Sequence, residues 1–412
     1  MKYLRACVFN SPTPWPITLD HRFQGLSYYF STTETEEYME TVRFMESNIN
    51  KSLTKYQNGI TLDQVLNARN SKLTRAQIID QKLYVVQPES APIFDRGPAH
   101  TVSLLLDVLR IYQGRVPDVD IILHSNDDPP RENLDHSPIL TFNKIKGENT
   151  LAIPFIVNKM EDIYALNSDS YFRKSYKFEN KESKAVWRGG MSGEKRNMVY
   201  RWSRNHTDII DYEFSVAHTG YRSNKYMSWR EQEHKYKYML DVDGWGWSSR
   251  FIQLLNIDMV IVKLESSNTD FCNEMLTPDV HYLTFSNEST LVKAIQYLID
   301  KGDDFALNMI QERRNFAKRY CSRDAQMVYM FTLLNMYAKL QTFQVVKDSK
   351  AVYVSNDVPS INYLELLLFI FVAASVVLSA VCCAQNFPHC RNYCSQIVIK
   401  EKKYTKVTTE EV

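Results

Sequence analysis

Short apolar runs bounded by turn residues predict strands at 78–86, 119–123, 185–187, 236–242, 259–264 and 281–285. In the first of these, Asp80-Gln81 between two apolar pairs reads as a hairpin or as a strand following a turn. Helical spacing takes over between them. Met39, Val42, Phe44 and Met45 predict a helical face within 35–70, and Val102, Leu105, Leu106, Leu109 and Tyr112 predict a helix over 99–112, closed by Gly114. Further helices are expected at 289–298 and 304–340, and Met198, Val199 and Trp202 suggest another amphipathic stretch. The alternation of strand and helix patterns implies an α/β chain.

Three strand ends carry candidate chemistry. The stretch 236–255 runs from an apolar strand through Gly244-Trp245-Gly246-Trp247 into Ser248-Ser249-Arg250 and an apolar set that predicts a helix. Serines are good N-caps, helix N-termini attract anions, and Arg250 adds a fork of donors suited to phosphate. A second turn rich in backbone N–H groups, Gly189-Gly190-Met191-Ser192-Gly193, follows Trp187-Arg188 and precedes Arg196. It could cradle a diphosphate or be a tight structural turn. The strand at 119–123 empties into His124-Ser125-Asn126-Asp127-Asp128-Pro129-Pro130, where a carboxylate could serve as general base, although Asp-Asp-Pro-Pro is also plain turn chemistry.

A different pattern ends the chain. Residues 366–384 contain no charge, glycine or proline and would rise about 28 Å as a helix, near the thickness of a bilayer core of about 30 Å. They predict one transmembrane helix. Lys400, Lys402, Lys403 and Lys406 follow it, which by the positive-inside rule puts a short tail in the cytosol and the large domain in a lumen. Met1 to Phe9 offers no recognisable signal peptide, because Pro12, Pro14 and Pro16 interrupt it, so two readings stay open: the chain lacks its true N-terminus, or the membrane helix alone directs insertion and leaves the large domain cytosolic. The triplets at Asn50, Asn205 and Asn287 permit the lumenal placement, which is preferred.

Composition narrows the classes. With 49 Lys and Arg against 48 Asp and Glu, the net charge of +1 gives no general case for nucleic acid, so any basic site must be local. Four of seven cysteines, Cys382, Cys383, Cys390 and Cys394, sit in or beside the membrane run, where palmitoylation and simple packing compete, with a zinc site including His389 as a third option. Cys7, Cys272 and Cys321 allow at most one disulfide in the large domain.

Taken in order, Asn126-Asp127-Asp128-Pro129, Trp187-Arg188-Gly189 with Ser192 and Arg196, the run 235–251 with Asp243-Gly244 and Ser248-Ser249-Arg250-Phe251, and Pro278 with His281-Tyr282 make the chain similar to the CAP10-type glycosyltransferases. This family includes protein O-glucosyltransferases of the Rumi/KDELC kind and capsule-associated xylosyltransferases. The resemblance spans roughly 80–340 and implies a GT-B fold, two Rossmann-like domains facing across a cleft, here with the C-terminal transmembrane helix added. It implies an inverting transfer of glucose or xylose from a UDP-sugar to a hydroxyl of a protein or glycan. By the same resemblance Asp127 is the base, and Arg188, Gly189, Ser192, Arg196, Asp243, Gly244, Ser248, Ser249 and Arg250 surround the donor. Asp128 and His281 are candidates for the acceptor or sugar side.

No cofactor or metal is expected. Asp118-Val119-Asp120 and Asp241-Val242-Asp243 mimic a D-x-D metal clamp, but Val242 belongs to a strand and the family resembled is generally metal-independent. Where relatives often carry aromatics before the Pro-x-x-His-Tyr segment, this chain has Cys272-Asn273, which touches sugar and acceptor preference. The expected organisation is an N-terminal arm (1–75), an acceptor-side domain (76–180), a donor-side domain (185–345), a linker (346–363), the membrane helix (364–384) and a basic tail (385–412). The expected setting is the endoplasmic reticulum or Golgi, as a single-pass membrane protein. The competing reading is a catalytically inactive membrane-anchored adaptor of the same fold. A glycoside hydrolase using Asp127 and Asp128 is disfavoured, because adjacent carboxylates rarely flank one bond at about 5 to 9 Å.

Overall fold

The strand-forming runs gather into two sheets joined by a short ribbon, in a computed structural model that describes residues 36–68, 73–86, 96–124, 128–130, 137–155, 177–216 and 225–354. The helices are α1 (Glu36–Leu53), α2 (Leu62–Asn67), α3 (Arg96–Ile111), α4 (Glu194–Ser203), α5 (Trp229–Lys235), α6 (Phe251–Leu254), α7 (Glu288–Phe316) and α8 (Arg323–Leu340). The strands are β1 (Leu73–Ile79), β2 (Lys82–Val86), β3 (Val119–His124), β4 (Ile139–Thr141), β5 (Lys144–Ile145), β6 (Leu151–Ala152), β7 (Glu182–Gly190), β8 (Ile210–Val216), β9 (Tyr236–Asp241), β10 (Val260–Leu264), β11 (Asn268–Thr269), β12 (Leu283–Phe285) and β13 (Ala351–Val354).

The first sheet has the order β13-β2-β1-β3-β4-β6. Its β3, β4 and β6 run parallel, whereas β13, β2 and β1 add antiparallel pairs, so it is mixed and departs from the Rossmann-like pattern expected for the N-terminal half. Of the two readings of 78–86, the hairpin is the one observed: Asp80 and Gln81 take φ of 48° and 62°, the left-handed turn that matches strand twist. Asp120 on β3 is buried against Arg75 of β1 and accepts from Gln77 at 2.8 Å, while Arg75 reaches Asp348 at 2.7 Å. The first D-x-D pair therefore ties strands together.

The second sheet is parallel throughout, in the order β12-β10-β9-β7-β8. Its central strands are buried on both faces, which is why they read as continuous apolar runs. The helices expected at 289–298 and from 304 onward merge into α7, bent at Gly302 (φ 79°). Two expectations shift. The strand foreseen at 281–285 is only Leu283–Phe285, because Asp279 (φ 65°) and the His281 N–H to Thr277 carbonyl bond of 3.0 Å fold 277–282 into a turn. The helix foreseen after Arg250 is the single turn α6, without a side-chain cap.

Several contacts bind the two sheets into one body. The β5 and β11 strands pair antiparallel, and Trp247 lies 5.6 Å from each of the Phe142 and Phe155 rings. Helix α8 was expected in the donor-side domain but packs on the first sheet's side: Phe331 stacks on Tyr112 at 3.9 Å, and Tyr337 and Tyr329 donate to the carbonyls of Asp120 (3.1 Å) and Ala152 (2.7 Å). Residues 351–354, expected as linker, form the edge strand β13. Cys272 and Cys321 form a disulfide, tying the loop after β11 to the end of the π-helical turn Ala317–Cys321. Residues 1–35 of the N-terminal arm, Asp127, the membrane run and the basic tail lie outside the described residues, among which no helix is long and apolar enough to cross a membrane.

Candidate functional site

In the parallel sheet, β7 connects outward to β8, while β9 and its successors build on the opposite side. Connections thus part at the carboxyl ends of β7 and β9, the switch point where open α/β sheets hold ligands. Both glycine turns singled out from the sequence leave from these ends. They touch: Gly193 (φ 84°) sits so close to the other turn that a Cβ on it would be 2.6 Å from the Gly244 carbonyl oxygen. A Cβ on Gly244 would in turn meet Ser192 Oγ at 3.1 Å and Arg196 Nη2 at 3.4 Å. Gly189 has a separate reason, since a Cβ there would strike the Trp187 ring at 2.7 Å.

Two arginines converge on that tryptophan. The Trp187 ring is stacked on Tyr212 at 4.2 Å, and the guanidinium carbons of Arg250 and Arg196 lie 4.9 and 5.3 Å from its centroid. Arg196, on α4, donates to Ser192 Oγ at 2.6 Å and to the Gly190 carbonyl at 3.1 Å. Arg250 donates from Nη1 to the Arg188 carbonyl at 2.8 Å, yet its Nε and Nη2 have no hydrogen-bond partner among the described residues. Its side chain is only 15% exposed. Burial pulls its pKa down to about 10, with Asp241 opposing and Arg196 reinforcing the shift, so it stays charged at neutral pH. A buried guanidinium with unmet donors at a switch point is an arrangement suited to an anion.

The carboxylates next to it are already engaged. Asp241 accepts from Ser248 and from Lys263 at 2.6 Å, and Asp243 accepts from Ser266 and from Lys195 at 2.9 Å. The second D-x-D pair is thus matched by lysines. Ser248 spends its hydroxyl on Asp241 and so does not cap α6, while Ser249 is exposed. A cavity of about 430 Å³ opens beside this cluster, walled by Lys263, Ser266, Asn268, Asn273, Tyr282 and Thr284.

Other predicted residues fall elsewhere. Arg188 points to the sheet face opposite Trp187, as strand alternation requires, and is occupied by Asp211 at 2.8 Å and by carbonyls of Lys225 and Asp211. It holds β7 to β8 and does not join the arginine pair. His281 packs on Phe316 at 4.7 Å and accepts at Nδ1 from the Thr277 N–H at 2.8 Å; burial lowers its pKa, leaving a neutral ring with the proton on Nε2. Asp128 is exposed just beyond β3. Lys195 and Lys263 are not among the sequence candidates, and Trp187 enters there only as part of the Trp187-Arg188-Gly189 motif. A lone lysine in the otherwise apolar run Val260-Ile261-Val262-Lys263-Leu264 was the readable signal, because a buried ammonium needs partners.

The family model for glycosyl transferase family 90 matches residues 40–407. The chain belongs to that family. Among curated relatives of this family 90 chain, human protein O-glucosyltransferase 1 is 22% identical over 371 residues, covering 82% of this chain and 89% of the relative. The bovine protein of the same name is 23% identical over 332 residues, 73% of this chain and 81% of the relative. The O-glucosyltransferase rumi of Drosophila pseudoobscura pseudoobscura is 21% identical over 309 residues, 68% of this chain and 73% of the relative. Membership makes this family 90 protein a glycosyltransferase by descent, and its relatives carry names for transfer of glucose to hydroxyl oxygen.

Proposed function

We propose that this chain transfers glucose or xylose from a UDP-sugar to a hydroxyl of a protein or glycan, with inversion at the anomeric carbon, in a GT-B arrangement whose parallel sheet holds the donor and whose mixed sheet serves the acceptor. The relatives' names favour glucose and a protein acceptor. One observation carries the donor side: Arg250 is buried over Trp187 at the switch point with two nitrogens unbonded, beside Arg196. Asp127 takes the proton as the acceptor oxygen bonds to the anomeric carbon, and the bond from that carbon to the UDP oxygen breaks. The diphosphate then gathers negative charge, which Arg250 and Arg196 meet; preorganised donors of this kind contribute about 10² to 10³ in rate. Leaving-group stabilisation is assigned to these arginines and not to a metal, because Asp241 and Asp243 each already contact a lysine. Trp245, 74% exposed on the same turn, is assigned to the acceptor side as an apolar platform.

The Cys272–Cys321 disulfide supports a lumenal, oxidising setting, which fits a single-pass membrane protein of the endoplasmic reticulum or Golgi. Release of UDP from UDP-glucose and UDP-xylose, with and without acceptor, tests the reading, alongside Asp127→Asn and calorimetry of UDP binding to Arg250→Ala. The expected result is turnover by the native chain, none by Asp127→Asn with UDP binding retained, and weak UDP binding by Arg250→Ala. UDP binding without turnover on any donor would instead favour the inactive adaptor.

A further inference from the structure

Lys263 lies at the centre of the site's charge balance. Every position of β10 is buried, and its ammonium donates to Asp241 Oδ2 at 2.6 Å, lies 3.9 Å from Asp243 Oδ1 and sits 4.3 Å from the Phe251 ring centroid. Burial alone would lower its pKa, but Asp241 and Asp243 outweigh that and hold it above the ordinary lysine value. The same side chain walls the cavity of about 430 Å³.

Its other consequence concerns Arg250. Asp241 Oδ1 is 3.7 Å from Arg250 Nε, near enough to attract it but beyond a hydrogen bond. Lys263 and Ser248 hold the two carboxylate oxygens of Asp241, one each. Without Lys263, Asp241 would be a buried carboxylate lacking its closest cation, with Arg250 the next one in reach, while Asp243 would keep only Lys195, whose side chain is 37% exposed. An arginine captured in this way turns its unmet donors inward. Two under-neutralised carboxylates would also repel any incoming phosphate.

We propose that Lys263 is a positioning residue for a diphosphate ligand: by occupying Asp241 and offsetting Asp243, it keeps the free donors of Arg250 available to phosphate oxygens. The proposal rests on the donor-site reading above.

Calorimetric titration with UDP, inorganic pyrophosphate and uridine tests it on the native chain, on Lys263→Met and on the double variant Lys263→Met/Asp241→Asn. Expected is a loss of UDP and pyrophosphate affinity of about tenfold or more in Lys263→Met, uridine affinity unchanged, and recovery in the double variant. Native-like UDP affinity in Lys263→Met, an equal fall for uridine, or no recovery in the double variant would each overturn the role. A native chain that binds pyrophosphate but not UDP would defeat the UDP-sugar reading and leave this proposal standing; binding of neither would defeat both. Should Lys263→Met not fold, Asp241→Asn alone reads the same balance from the other side. It is expected to tighten pyrophosphate binding severalfold, and an unchanged affinity overturns the proposal.

Discussion

At the scale of single residues, the site is governed by which charges are already matched. Arg188 and Arg250 look alike in sequence, both beside glycine or serine turns, but strand alternation turns Arg188 toward Asp211 while Arg250 stays over Trp187 with unbonded nitrogens. Reading residue types without the pleat gave both the same role. Asp270 provides a test of how burial sets charge here. It is 6% exposed and accepts from the Asn273 N–H at 2.8 Å, and burial raises its pKa to about 6 despite the nearby Lys263. Because the folded state holds this proton more tightly than the unfolded chain, stability should be greatest below about pH 4 for this group and fall as pH rises through 6, with the full penalty of about 3 kcal/mol reached above about pH 7. Asp270→Asn should therefore raise the melting temperature at pH 8 and give little gain at pH 4. Equal gains at both values would show that the carboxylate's charge is not the cause.

At the scale of elements, the two glycine turns act as one object. Their contact explains why Gly193 and Gly244 are needed where the sequence alone showed only flexible, phosphate-competent loops. Gly193→Ala would add both a strained positive φ and a contact of 2.6 Å with the Gly244 carbonyl, and should lower stability by about 2 kcal/mol and weaken UDP binding, read by denaturation and calorimetry. The strand-turn order around these glycines is legible, since the apolar stretches of β7, β9 and β10 lead within a few residues into glycine or serine. The short α6 was not. The apolar set Phe251, Ile252 and Leu254 is buried as a single turn would bury it, and Ser248 had a stronger claim on its hydroxyl from Asp241 than from a helix terminus. Close by, the Cys272–Cys321 bridge fixes the loop that carries cavity residue Asn273. With a sequence separation of 49 between the paired positions, Cys272→Ser should cost about 4 kcal/mol by the loop-entropy estimate, and the native chain should lose the same amount in reductant.

Across the whole molecule, the chain crosses between its two sheets more than once, and local pattern does not reveal this. Helix α8 is apolar around much of its circumference, with Met327, Tyr329, Met330, Leu333, Leu334 and Tyr337 all buried, so its sequence announces burial without naming the core it joins. Tyr329 and Tyr337 settle it only through carbonyls of Ala152 and Asp120, nearly two hundred positions away or more. The strand β13 is hidden for another reason: four residues, the middle two exposed, are too few to stand out between polar neighbours.

That strand decides where the chain can be cut. Ending the protein at residue 345, the boundary suggested by sequence, would remove both β13 and Asp348, leaving β2 as a bare edge and Arg75 short of one of its two carboxylates. Such a fragment should express poorly and self-associate, as sedimentation would reveal, while one ending just past Val354 should stay monodisperse. For a soluble form intended for enzymology, those nine residues are a matter of manufacture before they are a matter of mechanism.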